Sequence, residues 1–345
     1  MKILIAGANW HDNLLSVFKR GFESLGHEVD VFDDNQGSNS LIVGKILSRT
    51  PFVGYAEKFF ENYRVATSER LMNFAKHSAS DFLFVINGQK YLPAYMKKIR
   101  EKLKIPCGAY LIDDPIGGKD WLNYLTGYSH LFVIDDAWMG YLEYFVPGGV
   151  YYLPQVGDSD VFRPIDAKKT HDIGFGGTLS LRLPNAPSGH LRSQILNILA
   201  EKRYKIQAFA PGIGETFGVY PALKDIDYKD SYQSHEELNK LYNSSRIVIS
   251  IHSPQFKNGI SPRVFEAAYA GAFQLVEWKQ DADKLFDGKL QTFKSPKELF
   301  DKVDYYLAHP GEREKIADEC RDIALRRHTY KQRAERIMSI VKCGI

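Results

Sequence analysis

Apolar residues in this chain fall into short unbroken runs, and each run is followed by a polar loop and then by apolar positions three and four residues apart. That rhythm predicts strands alternating with amphipathic helices. In the first half it predicts strands at Lys2–Ala6, Glu28–Phe32, Phe82–Ile86, Gly108–Ile112 and Leu131–Ile134. Helices are expected at Leu14–Leu25, Ala94–Leu103 and Trp138–Phe145, and the aromatic-rich stretch Thr50–His77 also reads as helix. The strands are apolar throughout rather than alternating, as parallel strands are when helices cover both faces of a sheet.

Prolines, a glycine and acids interrupt the rhythm between Leu153 and Pro164, which marks a domain boundary. It then restarts, with strands at Asp172–Gly176, Lys205–Phe209, Ile247–Ile251 and Phe273–Val276 and helices at Leu191–Glu201, Glu236–Tyr242 and Pro262–Ala270. From Pro296 onward only helices are expected. The predicted class is α/β with two doubly wound parallel sheets. Such sheets bind ligands beyond the carboxyl ends of their strands, so the cleft between the domains is the expected site.

Composition narrows the function only a little. The length of 345 residues suits two domains. Lys+Arg exceed Asp+Glu by 45 − 42 = +3, which predicts no nucleic-acid partner. Cys107, Cys320 and Cys343 have no pairing or metal-ligand spacing, so reduced thiols and a cytoplasmic setting are expected. The opening run Met1–Gly7 is too short for a secretory signal, and no run reaches the roughly 18 apolar residues of a membrane-spanning helix. The basic stretch Met96–Lys104 suits either peripheral contact with acidic lipid or a solvated helix face.

The stretch Asn258–Gly271 carries the strongest chemical signal, reading as a polar loop that feeds a helix ended by glycine. Ser261 can cap that helix and Pro262 suits its first turn, while Arg263 adds a full positive charge to the helix amino terminus. Glu266 lies about one turn further on and can accept hydrogen bonds from hydroxyls. Phosphate beside polyol describes a nucleotide sugar. An amphipathic helix with Val264, Phe265, Ala268 and Tyr269 inward and solvated Arg263 and Glu266 is the alternative.

Other strand ends add candidates. After Asp172–Gly176, the loop through Gly177, Thr178 and Arg182 brings glycines and hydroxyls where backbone can approach a diphosphate, or it is a plain turn. His252 ends the strand Ile247–Ile251, on the ligand-facing edge or as a structural hydrogen-bonder. In the first half, His11 with Asp12 forms a candidate base, and Asp113-Asp114-Pro115 either holds a hydroxyl or forms an Asx turn. No metal-ligand cluster, phosphate loop of the G-x-x-x-x-G-K-[ST] type or G-x-S-x-G elbow is present.

Four ordered blocks in the second half resemble the GT-B glycosyltransferases of the family 4-like group, in particular their spore-maturation CgeB-like branch. They are Leu153-Pro-Gln-Val-Gly-Asp with Val161-Phe-Arg-Pro164; Asp172-Ile-Gly-Phe-Gly-Gly-Thr178; Arg246-Ile-Val-Ile-Ser-Ile-His252 with Ser261–Gly271; and a helical tail from Leu285 to Arg333. The resemblance implies two facing Rossmann-like domains. It assigns 1–165 to the acceptor, 166–320 to a nucleotide-sugar donor, and 321–345 to helices packing back on the first domain.

The implied activity is hexosyl or N-acetylhexosaminyl transfer from a nucleoside-diphosphate sugar, a co-substrate, to an acceptor hydroxyl, with no metal or other cofactor. The acceptor is left open among glycan, protein, lipid and small molecule, and the outcome between retention and inversion. Glu266 matches the acidic residue that contacts the donor ribose. Asn258 stands where the family has an acid that touches sugar hydroxyls, a departure that bears on the sugar transferred. The diphosphate set is then Gly177, Thr178, Arg182, Ser261 and Arg263. The ribose and sugar set is His252, Asn258, Gly259 and Glu266, and the catalytic set is His11, Asp12, Asp114 and Arg263. A nucleotide-sugar epimerase and a non-catalytic nucleotide-sugar-binding protein are the rival readings.

Overall fold

A computed structural model describes residues 1–8, 14–34, 53–117, 121–146, 148–182 and 186–343, with backbone alone at 53–58, 89, 186 and 343. His11 and Asp12 lie outside the described residues. Contacts divide the chain into two units, Met1–Pro154 with Lys331–Ile345, and Gln155–Tyr330. The first contains β1 (Lys2–Gly7), α1 (Leu14–Glu23), β2 (Glu28–Asp33), α2 (Val53–Ser78), β3 (Phe82–Ile86), α3 (Pro93–Lys102), β4 (Cys107–Leu111), α4 (Trp121–Leu125), β5 (His130–Val133), α5 (Met139–Leu142) and β6 (Val150–Tyr152). The second contains β7 (His171–Gly176), α6 (Ala186–Glu201), β8 (Ile206–Phe209), β9 (Asp227–Lys229), α7 (His235–Ser244), β10 (Ser245–Ser250), α8 (Pro262–Tyr269), β11 (Gln274–Glu277), α9 (Gln280–Leu285), β12 (Gln291–Phe293), α10 (Pro296–Ala308) and α11 (Pro310–Arg327). The last helix, α12 (Tyr330–Cys343), belongs almost wholly to the first unit.

Both sheets have six parallel strands, in the orders β2-β1-β3-β4-β5-β6 and β12-β11-β10-β7-β8-β9. The central strands are buried on both faces: Ile3 through Ala6 are fully buried, as are Phe82 through Val85. Phe18 and Phe22, one turn apart on α1, meet Phe84 of β3 with ring centroids at 5.0 and 5.7 Å. Burying each such ring stabilises the layer by about 2 kcal/mol. The chain leaves α1 at Gly26, whose φ of +79° is a conformation glycine takes without strain.

In the second unit, Val264, Phe265, Ala268 and Tyr269 of α8 all face the core. The helix stops at Gly271, which has a φ of +67°. Its carboxyl end is clamped from the tail: Arg321 Nε donates to the Tyr269 carbonyl at 3.2 Å, the Tyr269 hydroxyl donates to the His328 carbonyl, and the His328 ring packs 5.5 Å from Phe265.

The chain divides at Pro154, ahead of the expected boundary at 165, because α7 captures the intervening segment. Asn239 and Asn243 accept the Arg163 and Ile165 amides at 3.1 and 3.0 Å, and Phe162 packs 5.8 Å from Tyr242. The tail divides at Tyr330 rather than 320, since α11 stays with α8. Three strands went unpredicted, β6, β9 and β12, and all are three-residue edge strands, too short to show a pattern. The helix expected over Trp138–Phe145 is a 3₁₀ turn at Asp136–Trp138 followed by the single turn α5.

Cys107 and Cys320 are buried free thiols, each pushed up to about 12 chiefly by burial. On α3, Lys97 pairs with Glu101 at 3.9 Å, Lys98 sits over the Tyr95 ring, and Arg100 donates to the Tyr128 carbonyl at 3.1 Å. Among the described residues no helix is long and apolar enough to cross a membrane.

Candidate functional site

The second sheet reverses direction between β7 and β10. Chain following β7 crosses to β8 on one side, chain following β10 crosses to β11 on the other, and the diverging loops leave a crevice at their carboxyl ends. Gly177 and Thr178 follow β7, and His252 follows β10 by one residue beyond Ile251. The amino terminus of α8 arrives at the same point, because the Ser261 N–H donates to His252 Nδ1 at 3.3 Å.

Arg192 on α6, which the sequence reading missed, ties these loops together. Its Nη1 donates to the Thr178 carbonyl at 3.1 Å, and Nε and Nη2 donate to the Ile251 carbonyl at 3.1 and 2.9 Å. Burial lowers this guanidinium to about 10, partly offset by Glu277, so it stays charged. A signal was available: Arg192 is the cation on the stripe that continues as Ile195, Leu196 and Leu199, all buried in the core. A charge on a core-facing stripe is a residue with a task.

His252 is 1% exposed, and burial, helped by Lys279 and Arg192, lowers its ring to about 3. It is therefore neutral at ordinary pH. Glu277 Oε2 accepts its backbone N–H at 2.8 Å, a second contact that the sequence did not reveal. His252 Nε2 is buried and has no hydrogen-bond partner among the described residues. Leaving such a group unmatched costs about 1–3 kcal/mol.

Ser261 occupies the position ahead of α8, but its side chain makes no capping hydrogen bond, so the expected cap is absent. Arg263 Nη1 donates to Glu266 Oε2 at 2.7 Å, and the Tyr242 hydroxyl reaches the same oxygen at 3.5 Å. Burial alone would lower the Arg263 guanidinium, and Glu266 more than offsets it. Glu266 is 4% exposed, so the solvated reading does not describe it. Gly157 makes room for it: a Cβ there would lie 2.6 Å from Glu266 Cγ. Asn258 gives its carbonyl to the Asp281 N–H at 3.0 Å, and Gly259 is buried beside it.

Arg182 stands apart from this group. Its side chain is 83% exposed and pairs with Glu215 at 3.1 Å, and Glu215 also accepts the Ser180 hydroxyl and the Leu181 N–H. A separate groove of about 690 Å³ lies at the opposite edge of the sheet, by Lys205, Ile206 and Asp227. It carries none of the candidate residues, and its His171 and Asp227 face each other at 3.4 Å.

Residues 193–339 match the family model described as glycosyl transferase-like. Solved structures extend the likeness over the whole chain. Sucrose-phosphate synthase from Thermosynechococcus elongatus matches at a TM-score of 0.71 with 11% identity, covering 99% of this chain and 98% of that one. Trehalose-6-phosphate synthase from E. coli, bound to UDP-2-fluoro glucose, matches at 0.68 with 12% identity and 99% of both chains covered. HepE from Anabaena, in complex with UDP, matches at 0.64 with 13% identity, covering 99% and 100%. The fold is GT-B. No curated protein matches this chain in sequence.

The GT-B fold gives the first unit a second switch point, between β1 and β3. Asn87, just after β3, has a φ of 56°, a left-handed conformation strained for a residue with a side chain. Its Nδ2 donates to Asp113 Oδ2 at 3.0 Å. Asp114 adopts the Asx turn: its Oδ1 accepts the Ile116 and Gly117 amides at 2.9 and 3.1 Å, so that oxygen serves the loop. At the end of β2, Asp34 is 1% exposed and holds Lys90 at 3.0 Å and the Tyr91 hydroxyl at 3.2 Å. Among the described residues no group of three or more His, Cys, Asp or Glu is arranged to hold a metal ion.

Proposed function

We propose that the chain transfers a sugar from a nucleoside-diphosphate sugar to an acceptor hydroxyl. The glycosyl transferase-like match and the GT-B fold support sugar transfer in general. The observation that carries the donor assignment is the convergence of Thr178, Arg192, His252 and the α8 amino terminus at the β7/β10 switch point. Backbone amides, a helix amino terminus and guanidinium groups gathered in a crevice suit a diphosphate.

In this reading the sugar C1–O bond breaks and its electron pair stays on the diphosphate. The acceptor oxygen bonds to C1, and its proton passes to a general base. Positive groups fixed beside the leaving oxygen supply most of the acceleration, because charge develops there as the bond breaks. In this reading Glu266, held by Arg263, contacts the ribose, and Asn258 contacts the sugar. No metal takes part, and cytoplasmic residence and kinship with the CgeB-like branch belong to the same proposal. Uridine nucleotides are the first donors to try, since UDP and a UDP-sugar occupy two of the similar structures.

A thermal-shift screen with UDP-, GDP-, dTDP- and ADP-sugars, followed by donor consumption with a panel of hydroxyl acceptors, tests the reading. Stabilisation by one donor and consumption only with an acceptor are expected. Conversion of the donor without acceptor would support an epimerase instead, and binding without any consumption a non-catalytic protein.

A further inference from the structure

His252 is fixed on three sides, and its fourth, the buried Nε2, is left without a partner among the described residues. Arg192 grips the carbonyl of Ile251 immediately before it, Glu277 takes its backbone N–H, and the Ser261 N–H donates to Nδ1. An imidazole nitrogen that accepts a hydrogen bond carries no proton, so the neutral ring holds its proton on Nε2. That Nε2–H is the buried group left without a partner among the described residues. Donation from Ser261 also polarises the ring and strengthens the opposite N–H, the device by which a neutral imidazole at a helix amino terminus acts as an electrophile.

The surroundings favour one kind of acceptor. Arg192 and Lys279 both impose positive potential on the ring. Arg192 hydrogen-bonds to carbonyls, and the nearby Glu277 already serves the His252 amide and lies 4.0 Å from Lys279. An anionic oxygen would complete such a site better than a neutral hydroxyl. We propose that His252 donates its Nε2–H, as a neutral imidazole, to an anionic phosphate oxygen of the donor's diphosphate.

This moves His252 from the ribose and sugar set to the leaving group. As the C1–O bond breaks, the electron pair settles on the diphosphate and the hydrogen bond strengthens. His252 keeps its proton throughout, while the acceptor's proton goes elsewhere. The inference rests on the nucleotide-sugar reading for the identity of the anion, but only the anion is needed for the contact.

Nitrogen NMR of histidine-labelled full-length protein tests it, with His252 assigned by comparison with His252→Gln. At pH 7 the free protein should show the Nε2–H tautomer, and titration with inorganic pyrophosphate, then with UDP, GDP, dTDP and ADP, should shift that N–H. His252→Phe should bind the diphosphate about tenfold or more weakly, the loss of one charge-assisted hydrogen bond. His252→Gln keeps an acceptor for Ser261 and an outward donor, and should stay within about threefold of wild type. An Nδ1–H tautomer or an imidazolium at pH 7 would overturn the inference, whether or not the Phe variant folds. So would undiminished binding by a folded Phe variant, or no response of the wild type to pyrophosphate and all four nucleotides. Response to pyrophosphate alone, with the N–H shift, would uphold the contact and sink the nucleotide-sugar reading.

Discussion

The strand ends at β7 and β10 in the second unit and those at β2, β3 and β4 in the first occupy the same kind of edge on two parallel sheets, yet they carry different chemistry. In the second unit guanidinium, imidazole N–H and a helix amino terminus gather at the switch point, with the carboxylates Glu277 and Glu266 already held by the His252 amide and Arg263. In the first the polar groups are the Asn87 amide, the Asp113 carboxylate and the buried Asp34–Lys90 pair. In the proposed function the edge of the second unit takes the anion and that of the first the acceptor hydroxyl. The fold alone does not decide this, because the layered architecture is common to both; side chains placed at the reversal of strand order do.

Arg263→Ala should have the largest effect. Losing one preorganised donor typically lowers turnover about 10²–10³-fold. It also strips the partner from buried Glu266, so about 3 kcal/mol of stability should go with it, the lower end for broken buried pairs since Arg263 is 34% exposed. Steady-state rates and denaturant unfolding read the two losses. A cycle with Glu266→Gln should recover part of the stability but none of the rate. Recovery of both would make the pair purely structural and erase the contrast between the units.

Gly157→Ala comes next, since it removes no polar group. The added methyl would press on Glu266 Cγ, so strain of about 1–3 kcal/mol and weaker nucleotide binding are expected, measured by calorimetry. Unchanged affinity would show that the position of Glu266 does not matter to the donor. In the first unit, Asp34→Asn removes the partner of Lys90 and should cost about 1–3 kcal/mol while leaving nucleoside-diphosphate affinity as it was. A drop in that affinity would mean that the two edges do not divide the work.

The last contrast is a difference in sign with pH. Unfolded His252 takes up a proton below about 6.5, whereas the folded ring, lowered to about 3 by burial, does not. Its contribution is therefore complete above pH 6.5 and is lost as pH falls toward 3, at up to about 1.4 kcal/mol per pH unit. Asp34 runs the other way. Burial raises it, against the pull of Lys90, so the folded state holds its proton longer and stability is lost as pH rises from 3.8 through the raised value. Stability measured from pH 4 to 7 should thus fall less steeply on acidification in His252→Gln than in the wild type, and more steeply in Asp34→Asn. Parallel curves would contradict the two environments.

The architecture was legible in the sequence because its strands are unbroken apolar runs; β1, β3 and β7 lie within a residue of their expected ends. Edge strands of three residues were not, having too few positions to express a period. Of the candidate site, the α8 amino terminus, Thr178 and His252 were found because each follows a predicted strand or opens a predicted helix. Arg192 and Glu277 were missed because their contacts join segments distant in the chain, Arg192 reaching Ile251 across 59 positions and Glu277 reaching His252 across 25. The Asp113-Asp114 pair was ambiguous for a related reason: only coordinates show that Asp114 Oδ1 faces its own turn while Asp113 meets Asn87.

Calorimetric titration of UDP, GDP, dTDP and ADP into the wild type, Arg263→Ala and His252→Phe tests the central claim most directly. At least one nucleotide should bind the wild type and bind each variant about tenfold or more weakly. Failure of all four to bind the wild type, or equal binding to all three proteins, would contradict a diphosphate site at the β7/β10 crevice.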